Sequence, residues 1–422
     1  MKSRRITLSV IIIVGIILIW AAYSKAHSND GCILCLHIGR MASSFTDIDP
    51  ALASADNDFA FRLFGEITDD KGFMENIFVS PPSISLALSM TLNGAGGSTA
   101  QSMSKTLGFE SMRLEDINSN NSNMMRSLEN GDPKVEMSIA NSLWLSKDGD
   151  FKKDFLGHTV RSYQAEVDTL DFTSPGTASR VNRWVSRSTR RNIQNIVDSS
   201  SLNSDTVMLL INAIYFNGKW TKPFNPSKTY DRPFYLLNGH KIVKMMQNSG
   251  GYSYAEGSGL QAISLPYGDK RFSMYIFLPS KVDGLNDFCK ELNAANWKKW
   301  LASMGTCTGQ IMLPRFKMEY DSSLKEILSQ MGMSDAFRQS ADFAAMSDMK
   351  PLFIDDVIHK TFLEVEEKGT KAAAVTRVSM AKSAVMEAPG HSFLMIVDRP
   401  FFCAIVDNQS GLILFMGTIT NP

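Results

Sequence analysis

The chain is poor in cysteine and carries no excess of either charge. Five cysteines are spread over 422 residues. Cys289, Cys307 and Cys403 stand far apart, and Cys32 and Cys35 form a lone C-x-x-C. Redox chemistry there would need a βαβ context, and zinc would need a second pair; neither is in the sequence. A disulfide framework is excluded, and a chain of this size needs none to fold. Cys32 and Cys35 read as a local disulfide or as free thiols on a flexible leader. Basic and acidic residues both number 43, so nothing in the balance points to nucleic acid or an acidic substrate. No proline-, glycine- or serine-rich linker, charge block or internal repeat divides residues 57–422, which read as one domain. Long apolar runs are absent except one, residues 6–22. It follows Lys2, Arg4 and Arg5 and precedes Ser24-Lys25-Ala26. Basic head, apolar middle and small-residue exit make residues 1–26 a secretory signal peptide. The alternative is a retained membrane anchor, since roughly 17 apolar residues is the lower limit of a spanning helix. Either places the domain outside the cytoplasm. Residues 27–56 read as an irregular leader.

Enzyme signatures are missing as well. There is no G-x-S-x-G, H-E-x-x-H or G-K-[ST] phosphate loop. Gly257-Ser258-Gly259 reads as a turn, and the glycine-rich stretch 94–99 lacks the third dinucleotide-motif glycine and reads as the end of a helix. Six histidines lie far apart with no metal-ligand spacing. No cofactor or metal is implied, and the chain does not read as an enzyme.

What is present is alternation and helical spacing in turn. Phe59, Leu63, Phe64 and Ile67 predict a helix over 58–67. A short strand at 77–79 leads to Ser80-Pro81-Pro82-Ser83, which opens a helix over 84–92 with proline tolerated at its start. Polar residues 118–130 predict a surface helix and loop. A strand is expected at 135–146, and an amphipathic helix over 178–196 with Val181, Trp184 and Val185 inward. The apolar run 207–216 fits a central strand. Further strands are expected at 273–278, 310–318, 401–406 and 413–419. Strands with segregated helices argue an α+β fold with several sheets. Arg187, Arg190 and Arg191 near a helix end read as a solvated terminus with favourable dipole placement.

The most informative segment is E-V-E-E-K-G-T-K-A-A-A, Glu364 to Ala374. It follows Thr361, Phe362 and Leu363, which look like a buried strand running from His359. Beyond it Thr370, Ala372, Ala374, Thr376, Val378 and Met380 alternate with polar Lys371, Arg377 and Ser379. Period two marks a strand with one buried face. Its first inward residues are so small that the segment suits a gap between existing strands and has little bulk to hold itself there.

The segment resembles the hinge and reactive-centre loop of serpins. So do D-R-P-F-F-C-A-I-V-D-N (398–408) and G-L-I-L-F-M-G-T-I-T-N-P (411–422), which are similar to the family's closing strands. N-I-F-V-S-P-P-S-I-S-L-A-L (76–88), L-I-N-A-I-Y-F-N-G-K-W (210–220) and F-L-P-S-K (277–281) resemble further family blocks. The resemblance implies a large central mixed β-sheet, two smaller sheets and about eight or nine helices, with an exposed loop over residues 367–392. It implies a monomeric suicide inhibitor of a serine protease. The hinge would be Glu366, Glu367, Gly369, Thr370, Ala372, Ala373 and Ala374, all permissive of insertion. Ser80, Ser83, Asn212 and His359 would form a polar cluster beneath the central sheet, where strands part. Trp220 would lie at the top of the same gap, with Glu367 paired to Arg315. Counting along the loop as in the family gives Ser383–Ala384 as the reactive bond, which suits elastase-like or subtilisin-like proteases. A loop shorter by one residue gives Lys382–Ser383, which suits trypsin-like ones. The alternatives are a non-inhibitory carrier or chaperone on the same scaffold, and a membrane-tethered surface serpin.

Overall fold

The computed structural model describes residues 47–72, 75–202, 206–348, 352–370 and 392–422. Helix α1 (Pro50–Lys71) starts from Asp49, whose carboxylate accepts the N–H groups of Ala51 and Leu52. This cap carries the helix back to Pro50, so residues 50–56 are not the irregular leader expected. Strand β1 (Ile77–Val79) leads to α2 (Pro81–Leu92), which places prolines where helix N–H groups would lack partners anyway. Then come α3 (Gly97–Leu107), α4 (Leu114–Glu129), β2 (Val135–Ser146), α5 (Lys153–Tyr163), β3 (Glu166–Leu170) and α6 (Thr177–Ser188). Strands β4 (Met208–Lys219), β5 (Tyr230–Tyr235), β6 (His240–Gly257), β7 (Leu260–Pro266) and β8 (Phe272–Pro279) follow. Helices α7 (Leu285–Glu291) and α8 (Ala294–Ser303) precede β9 (Gly305–Pro314), β10 (Phe316–Ser323) and α9 (Lys325–Leu328). The chain closes with β11 (Ile358–Glu366), β12 (Gly369–Thr370), β13 (Ser392–Ile396), β14 (Phe401–Asp407) and β15 (Ile413–Ile419).

Two mixed sheets result. The central one has six strands in the order β10-β11-β12-β4-β2-β3. The other has nine, in the order β1-β15-β14-β8-β7-β6-β9-β13, with β5 paired to β6. The two smaller sheets expected are hydrogen-bonded into this one through the long β6, which pairs β5 at its start, then β9, then β7. The core lies between the sheets. The Phe216 ring of β4 meets Phe272 and Phe415 at 6.0 and 6.4 Å. The opposite face of β2 and β4 is covered by α6, where Trp184 meets Trp144 edge-on at 6.1 Å. Among the described residues no helix is long and apolar enough to cross a membrane; residues 1–46, with the expected signal peptide and Cys32-Cys35, lie outside them.

Three further sequence expectations need correction. Residues 310–318 are two strands in different sheets: Pro314 lacks an N–H, and Arg315 gives its own to Lys244 O, turning the chain across at 2.7 Å. Helix α6 ends at Ser188, well before 196, because Arg190 and Arg191 adopt left-handed backbone with φ of 51° and 65°. Arg190 pairs with Glu136 at 2.6 Å. In α4 the polar residues are not all at the surface, since Asn118 and Asn121 are buried.

Candidate functional site: the sheet slot and its hinge

Strands β4 and β11 run side by side in the same direction, and between their upper ends lies β12. Gly369 and Thr370 pair with Glu366 and Val365 on one side and with Lys219 and Gly218 on the other. Below this point no ladder joins β4 to β11 among the described residues. A cavity of about 50 Å³ opens there, floored by Ser83, Ala87 and Thr91 of α2 and flanked by Leu210, Asn212 and His359. Met208, Leu209 and Leu210 are only half-buried although apolar. A strand edge with this composition has lost a neighbour's cover.

The turn at Glu367-Lys368 is fixed from all sides. Phe224 N–H donates to Glu367 O at 2.8 Å, and Trp220 N–H donates to Lys368 O at 3.0 Å. The Glu367 carboxylate accepts from Arg315 at 2.5 Å and from Thr229 at 2.7 Å. Burial pushes this carboxyl's pKa up, but the hydrogen bonds from Thr229 and Arg315 outweigh it and hold it below the ordinary range. Glu366 is pushed the other way, by burial and by the neighbouring carboxylates of Glu364 and Glu367. The Trp220 indole donates to Glu366 O at 2.9 Å and stacks on Tyr267 at 4.4 Å. Tyr267 in turn places its hydroxyl 2.6 Å from that of Thr370. Gly369 is required by close approach: a Cβ there would meet Gly218 O at 2.1 Å and the Lys219 Cα at 2.7 Å.

Lower down, the polar residues form two connected sets. His359 Nε2 accepts the Ser80 N–H at 3.0 Å, and the Ser80 hydroxyl donates to Leu414 O at 2.8 Å. Burial drives the His359 pKa down to about 3, so the ring is a neutral acceptor. Ser83 donates to the Asn212 amide oxygen, and the Asn212 amide donates to Asn141 at 2.5 Å. Ser83, Asn212 and His359 all line the cavity, whereas Ser80 is fully buried behind it.

At the top of the gap Arg315 thus bonds the Glu367 carboxylate while Trp220 bonds the backbone of Glu366 and Lys368, and Ser80, Ser83, Asn212 and His359 lie lower down. Sequence reasoning missed Tyr267, Thr229 and Asn141. Tyr267 sits one residue beyond β7, whose middle is buried on both faces, so alternation does not single it out. Thr229 and Asn141 carry no local signal. The rest of the hinge (Ala372, Ala373, Ala374) and both expected reactive bonds, Ser383–Ala384 and Lys382–Ser383, lie outside the described residues.

Over residues 54–422 the sequence matches the serpin (serine protease inhibitor) family. It is 36% identical over 382 residues to a leukocyte elastase inhibitor of Xenopus laevis, covering 88% of this chain and 99% of that protein. An uncharacterized serpin-like protein of Methanosarcina mazei is 35% identical over 382 residues, with 88% and 87% covered. Among solved structures, the native thermophilic serpin tengpin has a TM-score of 0.81 at 32% identity, covering 90% of this chain and 96% of its own. Human thyroxine-binding globulin complexed with its ligand has a TM-score of 0.79 at 28% identity, with 88% and 98% covered. The chain belongs to the serpin family, a family of serine protease inhibitors, and has its α+β fold.

Proposed function

We propose that this serpin inhibits a serine protease as a suicide substrate, by inserting its loop into the six-stranded sheet once the loop is cut. The observation that carries this is the pairing of Gly369 and Thr370 on both sides at the mouth of the slot. Continuing the same register would carry Met380 to Met208, the far end of β4. It would turn Ala372, Ala374, Thr376, Val378 and Met380 to the face on which Thr370 is buried. The protease serine attacks the loop and forms an acyl-enzyme, and the freed hinge end then enters as a new strand with the enzyme still attached. Residues 371–380, at about 0.5–1.5 kcal/mol net per hydrogen bond, contribute on the order of 10 kcal/mol. Misaligning an oxyanion hole costs a protease about 10²–10³ in rate. Insertion therefore supplies more than enough to stall deacylation.

The reactive bond is read as Ser383–Ala384, with elastase-like or subtilisin-like proteases as targets. The likeness to a leukocyte elastase inhibitor supports that class. Lys382–Ser383, with trypsin-like targets, is the second register. The likeness to a thyroxine-binding protein favours a carrier as the competing function. We read the N-terminal run 6–22 as an export signal and the domain as extracellular; a retained anchor would tether it there. N-terminal sequencing of the exported protein separates the two. Incubation with a panel of serine proteases should give a denaturant-stable complex with at least one. The released C-terminal peptide should begin at Ala384, or at Ser383 in the second register. Clean cleavage without any complex across the panel refutes inhibition, and a peptide starting beyond Met386 refutes both registers.

A further inference from the structure

Helix α2, the floor of the slot, carries a polar stripe on the side turned away from it: Ser85, Ser89 and, just past its end, Asn93. All three are buried. Ser85 donates to Asp56 of α1 at 2.6 Å. Asn93 and Asn118 exchange amide hydrogen bonds at 2.9 and 2.7 Å, and the Tyr163 hydroxyl donates to Asn118 at 2.7 Å. The Tyr163 carbonyl then accepts from Asn141 at 2.7 Å, and Asn141 accepts from Asn212, which is held by Ser83 at the slot. The chain from Asn93 through Asn118, Tyr163 and Asn141 thus runs from the helical layer to Asn212 of strand β4. The Asp56–Ser85 pair stands apart from it and reaches the slot through α2 itself, whose Ser83 holds Asn212. Asp56 Oδ2 of α1 and Ser89 Oγ of α2 are buried without a hydrogen-bond partner. Asp56 is 1% exposed, and a carboxylate there would hold its charge on one hydroxyl.

We propose that Asp56 is a proton-operated brace: protonated, it lets α1 seat against α2 and keeps β4 fixed, and ionised, it loosens that contact and eases opening of the slot. The physical reason is the cost of an unpaired charge in an apolar interior, which is relieved by drawing a donor, the Ser89 hydroxyl or water, toward it. Burial, only partly opposed by Ser85, pushes this carboxyl up to about 7. The facing groups do not compensate. The elements packed on α1 are α2, α3, α4, α7, α8, α9, the helical turn Ser329–Met333, which carries no charged residue, and β15. They bring Ser85 to the carboxyl, and no charged side chain among the described residues acts on it. The nearby titratable group is the Tyr163 phenol of α5, which burial keeps neutral. On α1 itself Asp58 and Arg62 are exposed.

The consequence for inhibition rests on the slot being the loop's acceptor, but the test needs no protease. Difference infrared spectra of the full chain should show a protonated-carboxyl band that grows between pH 8.5 and 6 in the parent and is absent in Asp56→Asn. Over the same range, hydrogen exchange at residues 208–214, corrected for intrinsic rate, should slow by about tenfold in the parent and not in Asp56→Asn. In Asn212→Ala the band should still titrate while β4 exchange no longer follows it. Should Asp56→Asn fail to fold, Ser85→Ala should move the band's midpoint to higher pH. No titrating band, an unmoved midpoint, or β4 exchange that follows pH equally in Asp56→Asn overturns the proposal. A protein that passes these tests yet traps no protease would leave the brace standing and refute inhibition alone.

Discussion

If the chain inhibits as proposed, replacing Thr370 by arginine should turn it into a substrate. Thr370 is 2% exposed and its hydroxyl meets that of the fully buried Tyr267 at 2.6 Å. Arginine cannot occupy this position without bringing an unpaired cation beneath the sheet, at a cost of several kcal/mol. Losing the hydroxyl partner adds about 1–3 kcal/mol for the stranded Tyr267 group. Against this stand only the ladder bonds of Gly369 and Thr370, worth roughly 2–4 kcal/mol together. The balance favours expulsion of the hinge, and the first inserted rung is lost. Two measurements check it. The loop should still be cut by the target protease while the denaturant-stable complex disappears. Trp220, which stacks on Tyr267 and donates to Glu366 O, should change its fluorescence in the uncut protein. Thr370→Ser, which keeps the hydroxyl, should inhibit nearly as well as the parent. An arginine variant that traps protease as fast as the parent would refute insertion from this hinge.

Cutting the loop between Ala381 and Met386 should raise the melting temperature, because the freed strand completes the six-stranded sheet; calorimetry that shows no rise after clean cleavage contradicts this. Gly369→Ala should slow complex formation by well over tenfold, since its Cβ would meet backbone atoms of Gly218 and Lys219 that cannot move aside, and stopped-flow trapping rates measure it. Acid should weaken the native fold through His359. Its pKa falls from 6.5 to about 3 on burial, so between those values the unfolded chain holds a proton that the native ring does not. Stability is fully present above about pH 6.5 and is lost as pH falls toward 3, by about 2 kcal/mol at pH 5. Between pH 7.5 and 5 the unfolding free energy of the parent should change by about 2 kcal/mol more, in the destabilising direction, than that of His359→Asn, measured by urea unfolding.

Much of the fold was legible because its strands alternate or run apolar over their whole length. Residues 135–146 and 413–419 were bounded as observed, since turn residues or charges stop them at both ends. The continuous run from 310 to 318 was misread because periodicity carries no information about a change of sheet. Only the missing N–H of Pro314 and the bond from Arg315 to Lys244 reveal it. Asn118 and Asn121 were placed at the surface because a polar side chain reads as solvated; their burial depends on Asn93 and Tyr163, distant in sequence. The hinge stood out locally, through small inward residues. Its clasp did not, because Thr229, Tyr267 and Phe224 reach it from three other segments.

That clasp explains why the hinge is the right place to start a strand. The turn before Gly369 is held by two backbone bonds and a doubly bonded carboxylate, whereas the residues after Thr370 are small on their inward phase. The clasped turn therefore ends at Thr370, where the proposed insertion would begin. Fixing the first two rungs removes the ordering cost of nucleation, so each later residue adds hydrogen bonds to a register already chosen. It also fixes the phase. In the proposed strand a slip of one residue would turn Lys371 and Arg377 inward in place of Ala372 and Val378, bringing two cations to the buried face. On the proposed mechanism the paired Glu367 and the small residues that follow Thr370 in sequence serve one requirement: a strand anchored at one end so that it enters in a single register.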